Sequence, residues 1–163
     1  LPILITFNDN TGKRVSRWYY FDGRSTMATG WVYDSKNGNW YYMNTTPGPE
    51  LGQMVLGWVK DEKTNKWYYM NDNTGILKTG WHLDKHDGRW YYLNSNGEML
   101  VGWQKIDGKW YYFNTNTPQN TYTWDANAFK WSYLNNSARP FGSMYAGEKT
   151  PDGYNVDANG AWY

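Results

Sequence analysis

Aromatic residues come in short bursts along this chain, separated by polar, turn-forming stretches, and within each burst large and polar side chains alternate. "GWQKIDGKWYYFN", residues 102–114, displays the unit. Period two puts Trp103, Trp110 and Tyr112 on one face and Gln104 and Tyr111 on the other, the signature of two short strands. Asp107-Gly108 offers the positive φ angles of a two-residue type I′ turn. Ile106 is then expected opposite Lys109, Lys105 opposite Trp110, and Trp103 opposite Tyr112. Asn37-Gly38 and Asp87-Gly88 are read as the same turn in their own units. No stretch repeats apolar residues at three-to-four spacing between caps, so no helix is predicted.

The burst recurs. Trp-Tyr-Tyr or a close variant starts at Trp18, Trp40, Trp67, Trp90, Trp110 and Trp131, at spacings of 22, 27, 23, 20 and 21 residues. A second mark runs in step: Gly30-Trp31, Gly57-Trp58, Gly80-Trp81 and Gly102-Trp103, then Trp124 and Tyr145. A lone hairpin of this length is marginal in water, so burial must come from stacking successive hairpins. The fold class expected is therefore all-β, a repeat solenoid of stacked hairpins. Residues 1–17 read as a degenerate N-terminal strand or cap, 18–145 as about six aromatic repeats, and 146–163 as a C-terminal hairpin cap. Two links break the rhythm: residues 44–53, with Pro47, Gly48 and Pro49, and residues 114–124, where Thr123 stands in place of the Gly that precedes the other tryptophans.

Composition narrows the chemistry. Of 163 residues 20% are aromatic, and Tyr (16) and Trp (12) far outnumber Phe (5), so the surplus lies in rings that suit recognition as well as packing. A formal charge of +1 gives no electrostatic reason to expect nucleic acid or an anionic membrane. The absence of Cys excludes disulfides, thiolate metal sites and a cysteine nucleophile. "LPILI" at the start is too short for a signal h-region or a membrane span, so the chain reads as soluble.

Aromatics from neighbouring hairpins can wall a small cage. Several ring faces together offer negative quadrupoles to a methylated, weakly hydrated cation such as a quaternary ammonium, with no carboxylate required. One such cage reaches dissociation constants on the order of millimolar, and several along a polymer that repeats the ligand give tight attachment. The competing reading makes the same rings plain glue between hairpins. Composition does not separate the two.

The repeats resemble the choline-binding repeats of streptococcal, especially pneumococcal, surface proteins and phage lysins. That family's pattern of Gly-Trp, a turn, Trp-Tyr-Tyr and Gly-x-Met is matched by "GWVYDSKNGNWYYMN" with "GQM" at residues 52–54, and by "GWHLDKHDGRWYYLN" with "GEM" at residues 97–99. The match covers residues 18 to about 145. It implies a left-handed β superhelix with choline held between successive hairpins, by the two tryptophans of one unit, the last Tyr of Trp-Tyr-Tyr from the next, and a linker Met or Leu. Carried over, the first cage is Trp31, Trp40 and Tyr69 with Met54, and the second Trp58, Trp67 and Tyr92 with Leu77. The third is Trp81, Trp90 and Tyr112 with Met99. A fourth is Trp103, Trp110 and Tyr133 without a linker Met, and Trp124 with Trp131 forms part of a fifth. The resemblance further implies a non-catalytic, secreted cell-surface module that binds phosphocholine on teichoic and lipoteichoic acids of the cell wall, without cofactor, nucleic acid or membrane insertion.

Other signals are weaker. His82 and His86 have the spacing of helical metal ligands, but in a strand or turn they lie about 13 Å apart and read as solvated turn residues. Asp34, Asp61, Asp84 and Asp107 recur near the hairpin turns, where Asp is favoured for its geometry, and do not read as a glycosidase pair. Lys105 and Lys109 read as solvated. The alternative to choline is a glucan-binding repeat array, whose sites stack one ring on a sugar and surround its hydroxyls with polar groups. A stacking nucleic-acid binder would want a basic groove that is missing here. No catalytic constellation is found.

Overall fold

The computed structural model describes residues 1–116 and 139–163 in full and, between them, the backbones of two strands. All regular structure among the described residues is β: β1 (Ile3–Asn8), β2 (Arg14–Tyr19), β3 (Gly30–Asp34), β4 (Asn39–Met43), β5 (Leu56–Asp61), β6 (Lys66–Met70), β7 (Gly80–Leu83), β8 (Trp90–Leu93), β9 (Gly102–Ile106), β10 (Lys109–Phe113), β11 (Tyr122–Asp125) and β12 (Lys130–Tyr133). β1 pairs with β2, β3 with β4, β7 with β8 and β9 with β10, all antiparallel. The remaining sheet has the order β11-β12-β5-β6. The protein is an all-β solenoid of stacked hairpins, as the repeat predicts. Its chain divides into two compact units, one of Leu1–Val59, Tyr69–Leu77 and Asp125–Lys130, the other of Lys60–Tyr68, Lys78–Trp124 and Trp131–Tyr163.

What fills the interior is the residue after Trp-Tyr-Tyr. Met43, Met70, Leu93 and Phe113 are fully buried. Each bridges to the residue that closes the following linker, in the pairs Met43 with Met54, Met70 with Leu77, Leu93 with Met99, and Phe113 with Met144. Burying a side chain of this size contributes roughly 1.5–3 kcal/mol. In the first unit Val32, Tyr41, Met43 and Met54 form one apolar cluster, and in the second Ile106, Phe113 and Met144 form another.

Linkers also stack on one another. A Cβ on Gly75 would lie 2.6 Å from the Met54 sulfur, and one on Gly52 2.5 Å from that of Met27; in the second unit Gly142 stands in the same relation to Met99. The Gly of Gly-x-Met is thus the seat for the preceding linker's thioether, and its positive φ (+74° at Gly75) suits Gly independently. Each linker is closed by an amide N–H of this Gly donating to the carbonyl of the residue after the strand: Gly52 to Asn44, Gly75 to Asn71, Gly97 to Asn94 and Gly142 to Asn114.

The last of these pairs corrects the expected order of repeats. The linker that follows β10 is completed by Gly142-Ser143-Met144 and not by residues 114–124. Buried Asn114 fastens the join, its Nδ2 donating to the carbonyls of Arg139 (2.9 Å) and Pro140 (3.1 Å). Residues between Asn114 and Arg139 are therefore an insertion into one linker, although they contain a Trp124 and a Trp131 that imitate a repeat. Tyr145 is likewise not the next Gly-Trp mark. Gly147-Glu148 holds that place, since Gly147 has the positive φ (66°) shared by Gly30, Gly57, Gly80 and Gly102.

The turns differ from expectation in two hairpins. Asp107-Gly108 is the two-residue turn, with φ of 49° and 83°, and the register is Ile106 to Lys109, Lys105 to Trp110 and Trp103 to Tyr112. In β3-β4, by contrast, Asp34 pairs with Asn39 around a four-residue loop, and in β7-β8 the Asp84 N–H bonds the Arg89 carbonyl around another. The cause is the buried carboxylates of Asp34 and Asp84, which accept from the N–H of Lys36 (3.0 Å) and His86 (2.8 Å) and wind the chain into a wider turn. His82 is not a solvated turn residue. It occupies the inward strand position that Val32 and Val59 hold in their hairpins, is 5% exposed, and meets Lys78 Nζ at 3.0 Å through Nδ1.

Two outcomes are expected for stability. Gly75→Ala meets both a left-handed φ and the Met54 sulfur and should cost about 2–4 kcal/mol, whereas Gly88→Ala, with φ +67° and open space, should cost about 1 kcal/mol. Urea unfolding of the two variants measures the difference. The second concerns Asp87, whose carboxyl is raised above the usual carboxylate range chiefly by burial, against the lowering effect of the bond from Tyr91 Oη. A raised folded-state pKa stabilises the fold below the unfolded value, and that contribution is lost as pH climbs through the folded one. Asp87→Asn should therefore raise the thermal midpoint at pH 7 by a small margin and leave it unchanged at pH 3.

Candidate functional site

Within a hairpin, the Gly-Trp tryptophan and the last Tyr of Trp-Tyr-Tyr stand opposite each other and pack edge to face. Ring centroids are 5.0 Å apart for Trp31–Tyr42, 5.2 Å for Trp58–Tyr69, 5.0 Å for Trp81–Tyr92 and 5.3 Å for Trp103–Tyr112. This settles where Tyr69, Tyr92 and Tyr112 lie. Each supports the tryptophan of its own hairpin, while the sequence reading places it as a wall for the preceding one. The alternation of a strand explains the correction: the face that carries Trp81, Trp90 and Tyr92 is turned to the following hairpin, so Tyr112, on that same face of its own hairpin, points away from the preceding corner, while Tyr111, on the opposite face, points into it.

The wall comes from the middle residue. At the corner of Trp81 and Trp90, whose rings are perpendicular (88°) with centroids 6.2 Å apart, Tyr111 closes in at 4.9 Å from Trp81. A cavity of about 330 Å³ opens there, lined by Trp81, Trp90, Tyr111 and Met144, with Ala158 and Asn159 at its edge. Its floor is Met144 and not Met99. The amide of Met144 donates to the Trp90 carbonyl (2.8 Å), and the amide of Met99 goes to Trp67 (2.9 Å). The same step holds elsewhere, with Met54 bonded to Trp18 and Leu77 to Trp40. Each floor residue thus belongs one linker further along the chain than the expected one, which moves Met54 away from the first cage and puts Leu77 beside Trp40.

A second cavity, of about 410 Å³, is lined by Trp103, Trp110, Tyr154, Trp162 and Asp152. Tyr154 lies 5.8 Å from Trp103 and 6.3 Å from Trp162. Tyr154 corresponds to Tyr111, and Trp162 to Met144: Trp162 bridges to Val156 as Met144 bridges to Phe113, and its amide donates to Trp110 (2.9 Å). Tyr133, the expected wall, lies outside the described side chains, as do Trp124 and Trp131. Beyond this cavity the tryptophan positions are taken by Glu148 and Gly153, so the C-terminal turn supplies one wall and one floor and no further Trp pair.

In the first unit Trp31 and Trp40 repeat the perpendicular corner (6.4 Å, 82°). Trp58, 3% exposed, is buried. The outer Trp of each corner is open: Trp40, Trp90 and Trp110 keep 43%, 40% and 41% of their surface in solvent. Middle tyrosines are the buried partners in most repeats, and their hydroxyls are fixed by the turn of their own hairpin. Tyr41 Oη accepts from Asn37 (2.9 Å), and Tyr91 Oη donates to Asp87 (2.6 Å). Packing and presentation are thus shared between neighbouring residues of one tripeptide.

Sequence reasoning misses Tyr111, Met144, Tyr154 and Trp162. Gly142-Ser143-Met144 was a readable Gly-x-Met, and Asn159-Gly160-Ala161-Trp162 is the same linker with Trp in the Met position. Among the described residues that line the first cavity there is no carboxylate, whereas the second carries Asp152 at its rim.

Comparisons with known proteins identify the repeats. A choline-binding repeat family matches residues 9–48 and 78–119, and a putative cell wall binding repeat matches residues 57–76. No curated protein matches the chain. Among solved structures, CbpF in complex with ipratropium is 31% identical over all of this chain and 47% of its own, with a TM-score of 0.56. A second crystal form of choline binding protein F, from Streptococcus pneumoniae, is 32% identical over 97% of this chain and 47% of its own, at 0.54. The same pneumococcal protein in the presence of a peptidoglycan analogue is 32% identical over 96% of this chain and 51% of its own, at 0.53. The chain spans about half the length of these relatives, and it belongs to the choline-binding repeat family.

Proposed function

We propose that the chain is a non-catalytic module of a secreted, cell-wall-associated bacterial protein that binds choline in its aromatic corners and thereby holds the protein on phosphocholine-bearing teichoic acids. The observation that carries this reading is the corner at Trp81 and Trp90, with two perpendicular indoles, a tyrosine from the next hairpin and a thioether floor, and no carboxylate among the described residues that line it. A trimethylammonium group fits those features. It has no N–H to satisfy, is weakly hydrated, and is drawn to ring faces by their quadrupoles. A sugar hydroxyl would find few partners there.

The proposed sites are Trp81, Trp90, Tyr111 and Met144; Trp103, Trp110, Tyr154 and Trp162; and, in the first unit, Trp31 and Trp40 with Leu77. Each cation–π contact is worth ~0.5–2 kcal/mol, so one corner binds on the order of millimolar choline. Several corners on one chain, meeting a polymer that repeats phosphocholine, raise the attachment far above any single site.

Titration with choline chloride, followed by tryptophan fluorescence, is expected to saturate in the millimolar range. Trp90→Ala should lose part of the signal and Tyr111→Ala should weaken the same site, while Tyr112→Ala, which removes only a support, should weaken it less. Glucose oligomers serve as the control. A response to them without one to choline would overturn the assignment in favour of a glucan-binding array.

A further inference from the structure

We propose that the cavity between β9-β10 and the C-terminal turn differs from the other corners in ligand range: Asp152 makes it a subsite for ammonium groups that keep an N–H, as well as for quaternary ones. The proposal rests on the reading of these corners as cation sites and adds a specificity-determining residue to one of them. Asp152 lines this cavity together with Trp103, Trp110, Tyr154 and Trp162. Its carboxylate stands exposed at the rim and is held there by two hydrogen bonds. Oδ2 accepts the Trp103 indole N–H at 2.8 Å, and Oδ1 accepts the Thr150 hydroxyl at 2.6 Å. Those two bonds, Thr150 first and Trp103 second, hold the carboxyl below the usual carboxylate range, so it is an anion throughout the neutral range. Each oxygen retains a free lone-pair direction for a further donor.

The chemistry then separates the corners. A primary or partly methylated ammonium is strongly hydrated at its N–H groups, and a purely aromatic corner offers them no acceptor. Loss of that hydration weighs against binding there, which is why such corners favour quaternary cations. At the second cavity the carboxylate replaces the lost water with a charge-assisted hydrogen bond. The Trp103 bond also fixes the indole ring itself, so wall and counter-charge are positioned together. The position of Asp152, just before the place of the missing Trp, is held by Arg17, Asn39, Lys66, Arg89 and Lys109 in the preceding repeats, four cations and one neutral amide. Only this turn puts a carboxylate there.

The test uses the full chain and reads the indole N–H resonances of Trp90 and Trp110, one reporter in each cavity and neither bonded to Asp152. The probes are choline chloride, N,N-dimethylethanolamine and ethanolamine, all at pH 7. Choline should move both resonances. Dimethylethanolamine and ethanolamine should move Trp110 at concentrations that leave Trp90 in place, and Asp152→Asn should abolish that selectivity while weakening choline at Trp110 by about two- to fivefold, the scale of an exposed ion pair. An unchanged Trp90 response to choline in the variant shows that the fold persists. If the N–H-bearing amines move neither resonance or both alike, or if Asp152→Asn leaves their effect on Trp110 intact, the proposal fails while choline binding stands. If choline moves neither resonance, the reading of the corners as cation sites fails with it.

Discussion

The structure depends on one backbone hydrogen bond repeated along the chain: the amide of the residue that closes a linker donates to the carbonyl of the Trp-Tyr-Tyr tryptophan one hairpin back. It joins Met54 to Trp18, Leu77 to Trp40, Met99 to Trp67, Met144 to Trp90 and Trp162 to Trp110, always at 2.8–2.9 Å. A hairpin of some twenty residues exposes its outer strand, and this bond gives that strand its partner. The bond also decides which side chains meet. By tying the linker after one hairpin to the tryptophan of the hairpin before, it slides a Met, Leu or Trp beneath a corner whose two tryptophans were laid down a repeat earlier.

Once the stacking step is fixed, the tripeptide Trp-Tyr-Tyr divides its duties by the alternation of a strand. The last Tyr leans on the Gly-Trp indole of its own hairpin. The middle Tyr turns the other way, toward the preceding hairpin, and the residue after the tripeptide fills the interior. The outer Trp, two-fifths exposed at Trp90 and Trp110, keeps much of its ring in solvent. Burial is thus distributed residue by residue. Met43, Met70, Leu93 and Phe113, together with the middle tyrosines of most repeats, carry the burial, and a large ring with much of its surface in water contributes less to stability than its size suggests.

Most of the fold was legible because it is local. Period two and the Asp107-Gly108 turn give the register of β9 and β10 to the residue, and the recurrence of two marks gives the array. Of the corners proposed as sites, the sequence marks the tryptophans, while the rings and floors beside them lie elsewhere than the spacing suggests. Tyr112 was expected to wall a neighbour's corner, yet the same alternation that places it beside Trp103 sends Tyr111 outward, so the true wall was already implied by the pattern. The floors were shifted by one linker because the bond that places them is non-local and leaves no mark in the spacing. Trp124 and Trp131 misled for a different reason: a hairpin can keep its aromatic strand pattern after losing its place in the array, and the lost Gly at Thr123 and the missing Gly-x-Met before it were the signs of it. Asp34 and Asp84 widened turns that Asn-Gly and Asp-Gly alone would have made tight.

That an insertion of this size leaves the corners intact follows from where it enters. Every linker is closed by the Gly amide on the carbonyl that follows the strand, and the chain between those two residues is free to vary. It runs from Asn94 to Gly97 in the shortest case and from Asn114 to Gly142 in the longest, under the same hydrogen bond. Loop-closure entropy rises only with the logarithm of length, so the longer loop costs about 2 kcal/mol more than the shorter one. Asn44 and Asn114 offset part of that by turning their side-chain amides onto the returning chain, at the carbonyls of Glu50 and of Arg139 and Pro140. The two tryptophans of a corner lie on the strands and the floor lies just after the Gly, so all the variable length falls between fixed points. A repeat array built in this way can acquire new surface in a linker while its aromatic corners keep their geometry.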